Sequence, residues 1–242
     1  MQRKNFKALL PIISAAPFLV AEFVLSYFVQ TAGGRVGTTV MYACVLLAFV
    51  FSMASVTTNT AREYNFVRLG LFITLGADYC LVLATPTMEL EGVIVFCFVQ
   101  LAYFLALVLS DENRLRRTVH IAVRAGLTVL IIPATFIVLG DSVDALAVFS
   151  ATYYANLVCN AVFALIDYRK WWIFGVGLVA FALCDASIGF TFLANEYLGA
   201  AEGGFLYAVA NSDLNLAWVF YVPSLAFIGI TPHFPMRVKS AD

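Results

Sequence analysis

The chain reads as an all-α protein, a polytopic membrane bundle of eight transmembrane helices in a single domain spanning residues 1–242. Three observations predict this. Of 242 residues, 62% are hydrophobic and only 12% charged, with a mean hydropathy of +0.92. The charged share is about half that of a soluble domain, and folding in water would expose more apolar surface than a monomer tolerates. The sequence also divides into eight apolar stretches, each near the roughly 20 residues that a helix needs to cross a hydrocarbon core. The basic residues, finally, fall almost entirely on alternate connections.

The first span, 8–29, follows the basic start MQRKNFK and has the form of a secretion signal. Its apolar run continues through Phe28 with Glu22 inside it, long enough to cross a bilayer, so it is expected to be retained as a helix. Span 2 covers 38–57 and span 3 covers 65–85, with Arg62 and Arg68 between or beside them. Span 4, at 91–110, is separated from span 5, at 119–140, by Arg114, Arg116 and Arg117, with Arg124 just inside span 5. Span 6 runs over 143–166, and Arg169 and Lys170 fill the connection to span 7, at 171–194. Span 8, at 212–231, is followed by Arg237 and Lys239.

Lys and Arg collect on the cytoplasmic side of membrane proteins. With Arg3, Lys4 and Lys7 before span 1, thirteen basic residues lie on one side and Arg35 alone on the other. Both termini are therefore expected in the cytoplasm. Arg68 and Arg124 are expected to snorkel to that interface.

Net charge −1 excludes a basic nucleic-acid binder. Cys44, Cys80, Cys97, Cys159 and Cys184 fall in apolar runs without metal-ligand spacing, so they read as small core residues, and no disulfide framework is implied.

Asp78 lies thirteen residues into span 3 and Asp185 fourteen residues into span 7. At 1.5 Å per residue both sit about 20 Å from the cytoplasmic boundary. The two spans run in the same direction, so the carboxylates share one depth in the outer half of the membrane. Glu22, Gln100, Tyr153, Tyr154, Tyr221 and Ser224 reach the same layer from spans 1, 4, 6 and 8. An Asp at helix mid-depth costs about 2.5 to 3.5 kcal/mol even on the mildest scale. Several such groups at one level predict a polar cavity, in place of isolated protonated carboxyls that merely join helices.

Gly70, Thr74 and Asp78 are spaced by four, as are Gly92, Phe96 and Gln100, and again Gly177, Phe181 and Asp185. Each trio stacks along one helix face, with a Gly that lets a neighbouring backbone come close. The surrounding stretches GLFITLGADYCLVL, EGVIVFCFVQLAYFLAL and GLVAFALCDASIGF resemble the signature helices of the YhhN-like lysoplasmalogenase family of eight-span integral membrane proteins. AWVFYVPSLAFIGI on span 8 is more loosely similar. Gln100 stands where the family pattern shows His, Cys184 where it shows Ser, and Ala77 where it shows Gly. Both acidic positions are kept.

The resemblance implies hydrolysis of the vinyl ether of a lysoplasmalogen, a lysophospholipid, to a fatty aldehyde and a glycerophospho-alcohol, without metal or cofactor. Such a bond breaks once its β-carbon is protonated, leaving an oxocarbenium ion that water attacks. Asp78 and Asp185 are the expected catalytic pair, titrating as a unit. Gln100 is expected to orient substrate or water. Tyr103, Tyr153, Tyr154 and Tyr221, with Ser224 and Glu22, complete the substrate-binding residues. The head group is expected towards the outer interface, and membrane lipids surround the rest.

His120 and His233 lie near span ends and read as interfacial, too far from the polar layer for a Ser-His-Asp arrangement or a buried metal site. No phosphate-binding GxxxxGK[ST] or GxGxxG sequence is present. All four lysines flank helices, which excludes a retinal-binding receptor. Two alternatives stand beside the hydrolase. One is a proton-coupled carrier, in which spans 3 and 7 correspond under a parallel repeat of four plus four and Pro133 and Pro223 break helices. The other is a non-catalytic lipid-binding member of the family, which Gln100 and Cys184 favour. The loop Asn195 to Asp213 is Gly-rich and acidic and reads equally as a lid or a connection.

Overall fold

The computed structural model describes residues 2–32, 34–56, 59–197, 204–212 and 215–234. Among these there are helices and no strands. The elements are α1 (Gln2–Ala32), α2 (Gly34–Ala54), α3 (Arg62–Asp78), α4 (Glu89–Ser110), α5 (Arg114–Leu139), α6 (Ala145–Ile166), α7 (Tyr168–Phe192), the short α8 (Phe205–Ala210) and α9 (Leu216–Ile230). All but α8 are long and apolar enough to cross a membrane, α3 together with the π-helical turn that runs to Leu83 and α9 together with its 3-10 extension to His233. Each overlaps one expected span and departs from it by a few residues at the ends, where polar flanks add turns that hydropathy does not count.

Two features lie beyond the hydropathy pattern. The helix α8 falls within the outer connection, of which residues 198–203 and Asp213 lie outside the described residues. One turn of π-helix, Tyr79–Leu83, follows directly on Asp78, and a second, Leu193–Tyr197, extends α7. Such turns occur mostly as single-turn bulges in α-helices and are frequent at functional sites.

Helix starts follow ordinary capping chemistry. Asn113 Oδ1 accepts from Leu115 N (2.9 Å) and Arg116 N (3.2 Å), and Asp144 Oδ1 accepts from Ala147 N (2.7 Å). Pro133 and Pro223 sit inside continuous helices, so neither breaks its helix.

α3 packs on α4 and α7 on α9, while α6 contacts both α4 and α7. α2 stands to α9 and α3 as α6 stands to α4 and α7, and α1 lies on α2 as α5 lies on α6. These neighbours are those that a parallel repeat of four plus four helices generates. The glycine seams hold the pairs together. A Cβ on Gly70 would enter the ring of Tyr103 on α4, and one on Gly177 would lie 3.1 Å from Ile228 N on α9. The outward faces carry Phe23, Leu130 and Ile137, at 79%, 67% and 83% exposure, an apolar surface suited to lipid.

Three expected interfacial side chains are inside instead. Arg68 is buried, donating from Nε to Ser52 O (3.2 Å) and from its terminal nitrogens to Asn65 Oδ1 (2.7 Å), Ser55 Oγ (2.8 Å) and Asn59 O (3.0 Å). It ties the end of α2 to α3, because the carbonyls freed where α2 stops need donors. Arg124 turns inward to α6 and does not snorkel. His120 is buried between Phe163, at 3.7 Å between centroids, and Phe104, at 5.2 Å; an imidazole can stack on rings where the interface offers it nothing better. His233 is half-buried against Phe51, at 4.2 Å, and bonds its carbonyl oxygen. Arg237 and Lys239 lie outside the described residues.

Candidate functional site

Asp78 is the last residue of α3, and Asp185 is the eighteenth of α7. From the starts of their helices they rise about 24 and 26 Å, similar distances along α3 and α7. Tyr221, the sixth residue of α9, and Tyr153, the ninth of α6, come down to the two acids from the other end.

The tyrosines partner the acids individually. Tyr221 Oη donates to Asp78 Oδ2, and Tyr153 Oη donates to Asp185 Oδ2. Asp78 is 3% exposed, Tyr221 3% and Tyr153 6%, whereas Asp185 is only partly buried. No hydrogen bond joins the two carboxylates among the described residues, yet the charge of Asp185 acts on Asp78, and Tyr153 and Cys184 each lie in the field of both. Cys184 adds its thiol beside Asp185. Phe96 and Phe181 fill the space between, with centroids 5.4 Å from Tyr153 to Phe96, 5.7 Å from Phe96 to Phe181 and 5.4 Å from Phe181 to Tyr221. The second members of two of the seams thus form the aromatic floor under the acids.

Other expected residues take distinct places. Ser224 is buried and donates to Tyr221 O (2.6 Å), so it braces the helix turn that carries Tyr221. Tyr103 is buried against Gly70 and Phe174, close enough to feel Asp78. Tyr154 is half-buried and lies in the field of Asp185. Gln100 is 1% exposed and faces Asn160, whose Nδ2 donates to Gln100 Oε1 (2.9 Å) and to its backbone oxygen (3.0 Å). Gln100 Nε2 has no hydrogen-bond partner among the described residues. Glu22 stands apart: it is buried in the α1 segment facing α2, against the Cys44 thiol.

Sequence reasoning missed Asn156 and Asn160. Asn160 Oδ1 accepts from Arg124, Asn156 Oδ1 accepts from Arg124 Nη1 (2.9 Å), and the guanidinium lies 4.3 Å over the Phe104 ring. Tyr153, Asn156 and Asn160 are spaced by three and four, which places them along one face of α6. That spacing within an otherwise apolar helix was the available signal.

The arrangement brings two acids, two phenols and a thiol into one largely buried cluster, both acids and the thiol on the helices that carry the sequence motifs. A model of the YhhN family matches residues 34–212, which includes every member of the cluster except Tyr221. The chain belongs to the YhhN family. No curated protein and no solved structure matches it. With eight long apolar helices, this YhhN protein is an integral, multi-pass membrane protein. The family match covers α2 to α8, so Asp78 and Asp185 lie inside it, while α1 with Glu22 and α9 with Tyr221 and Ser224 lie outside.

Proposed function

We propose that this YhhN protein is an ether hydrolase that cleaves the vinyl ether of a lysoplasmalogen to a fatty aldehyde and a glycerophospho-alcohol. One observation carries the reading: two carboxylates from separate helices, each held by its own phenol, lie close enough that the charge of Asp185 acts on Asp78. Burial among apolar and aromatic groups strengthens that mutual influence, and an interacting pair of this kind supplies a proton donor and a proton acceptor together.

In the proposed reaction one Asp gives its proton to the β-carbon of the vinyl ether, and the ether oxygen shares the resulting positive charge. The other carboxylate stabilises that oxocarbenium ion and takes a proton from the attacking water. The hemiacetal so formed then collapses: the first Asp takes its hydroxyl proton and is restored as the acid, while the second gives the proton it took from water to the departing glycerol oxygen. Tyr153 and Tyr221 hold the two carboxylates in place, and Tyr103 and Tyr154 line their surroundings. Gln100 acts at the side of the Asn160 and Arg124 network. Both termini lie in the cytoplasm, following the distribution of basic residues. The whole chain acts as one transmembrane domain.

The test is aldehyde release from lysoplasmalogen by detergent-purified protein, with folded Asp78→Asn and Asp185→Asn proteins as controls. Aldehyde from the wild type and loss in both variants is expected. Undiminished aldehyde from both variants, or none from the wild type, removes the reading.

A further inference from the structure

The cluster accounts for the acids but leaves a cation unused. Arg124 lies eleven residues into α5, about 15 Å from its start, and points between α4 and α6. Its polar partners are the Asn156 and Asn160 oxygens, which carry no charge. Among the described residues no Asp or Glu carboxylate is in salt-bridge range of it and its buried Nε has no acceptor. A guanidinium at this depth without an anion is costly, and such residues mark substrate or ion pathways.

Arg124 also lines a cavity. A half-open cleft of about 220 Å³ lies between α4, α5 and α6, with Arg124, Asn156 and Thr152 on its polar side and Cys97, Leu101 and Tyr153 along the rest. Leu101 is 47% exposed at its lip, so the cleft meets the apolar exterior. At its other end stands Tyr153, whose hydroxyl holds Asp185. From Tyr153 to Asn156 and Asn160 the α6 face descends about 5 to 10 Å, the scale of a glycerol unit with its phosphoester.

We propose that Arg124, with Asn156 beside it, binds the phosphodiester of the lysophospholipid, which reaches the acids laterally through the cleft between α4 and α5. This rests on the hydrolase reading and gives it a substrate orientation. The phosphate lies on the Arg124 side, one to two turns nearer the starts of α5 and α7 than Asp185, and so on the side opposite to the outer one that the sequence suggested. Arginine suits the role because its planar fork offers paired donors to phosphate oxygens.

The experiment measures binding of a saturated 1-O-alkyl lysophosphatidylethanolamine, whose ether the proposed reaction does not cleave. The control is the phosphate-free 1-O-alkylglycerol of equal chain length. Titration calorimetry in detergent is expected to show Arg124→Gln weakening the phospholipid by about 10- to 100-fold and leaving the alkylglycerol unchanged. Arg124→Lys restores part of the loss. Equal weakening of both ligands, or no weakening, overturns the proposal.

A second measurement needs no Arg124 variant. In Cys80→Ala protein, Cys97 is the remaining cysteine that is not buried, and the phospholipid is expected to slow its alkylation by N-ethylmaleimide several-fold. No protection by the phospholipid, or equal protection by inorganic phosphate alone, overturns the proposal. The two readings fail separately. Arg124-dependent phospholipid binding without aldehyde release removes hydrolysis and keeps the phosphate site, and aldehyde release with unaltered Arg124→Gln binding does the reverse.

Discussion

Replacing Tyr221 by Phe keeps the ring against Phe181 and removes only the hydroxyl that donates to Asp78 Oδ2. Asp78 is 3% exposed, so water does not replace the donor, and an orphaned buried acceptor costs about 1–3 kcal/mol. A donor to an ionised carboxylate is worth roughly twice a donor to a neutral one. If Asp78 is the member that stays ionised, the loss falls at the upper end, a rate reduction of about 150-fold. At the lower end it is about 5-fold. Tyr153→Phe makes the matching change at Asp185. The two variants are compared for aldehyde release under saturating lysoplasmalogen and for thermal unfolding in one detergent. The larger rate loss identifies the carboxylate that works as the base. Full activity in both variants would refute the role given to the phenols, and with it the reason for reading this cluster as a catalytic pair.

Four further outcomes are expected. Asp78→Asn and Asp185→Asn each lower aldehyde release by about 10²- to 10⁴-fold, and the double variant is little worse than either single one, because groups that act as a unit are not additive. Asn160→Leu takes one partner each from Gln100 and Arg124 and destabilises the protein by about 1–3 kcal/mol, read as a lower unfolding temperature. Arg68→Met removes the donors to Ser52 O and Asn59 O and costs about 2–4 kcal/mol, with no change in lipid selectivity among the molecules that remain folded. Gly177→Ala drives a methyl against Ile228 N and costs about 1–3 kcal/mol by overpacking α7 on α9, measured by the same melt.

The helices were legible because lipid leaves one strong signal, apolar length, and because four-residue spacing marks the contact faces of α3, α4 and α7. Counting residues along the two spans also led to grouping Asp78 with Asp185, and the structure places both beside Tyr153 and Cys184. What depth cannot give is azimuth. Glu22 matches the layer in height yet faces Cys44, and Gln100 matches it yet turns to Asn160. Arg124 shows the reverse: a charge near a helix end looks like a snorkelling residue, and only the inward face of α5 reveals that Asn156 and Asn160 receive it. Which phenol serves which acid also depends on helix neighbours that no spacing records.

Those neighbours explain how a repeated architecture can make two like residues unlike. Under four plus four, α7 corresponds to α3, α6 to α2 and α9 to α4. An unbroken repeat would give Asp78 a phenol from α2 to match Tyr153, or Asp185 one from α4 to match Tyr221. The chain does neither: the phenol of Asp78 comes from α9 and that of Asp185 from α6. Asp78 is consequently sealed by α9, while Asp185 is partly exposed and its phenol forms a wall of the cleft. On the proposed reading a substrate arriving past Arg124 meets Tyr153 and Asp185 before it meets Asp78. That difference suits pair chemistry, since acids with separate partners and separate access divide the roles of donor and acceptor between them.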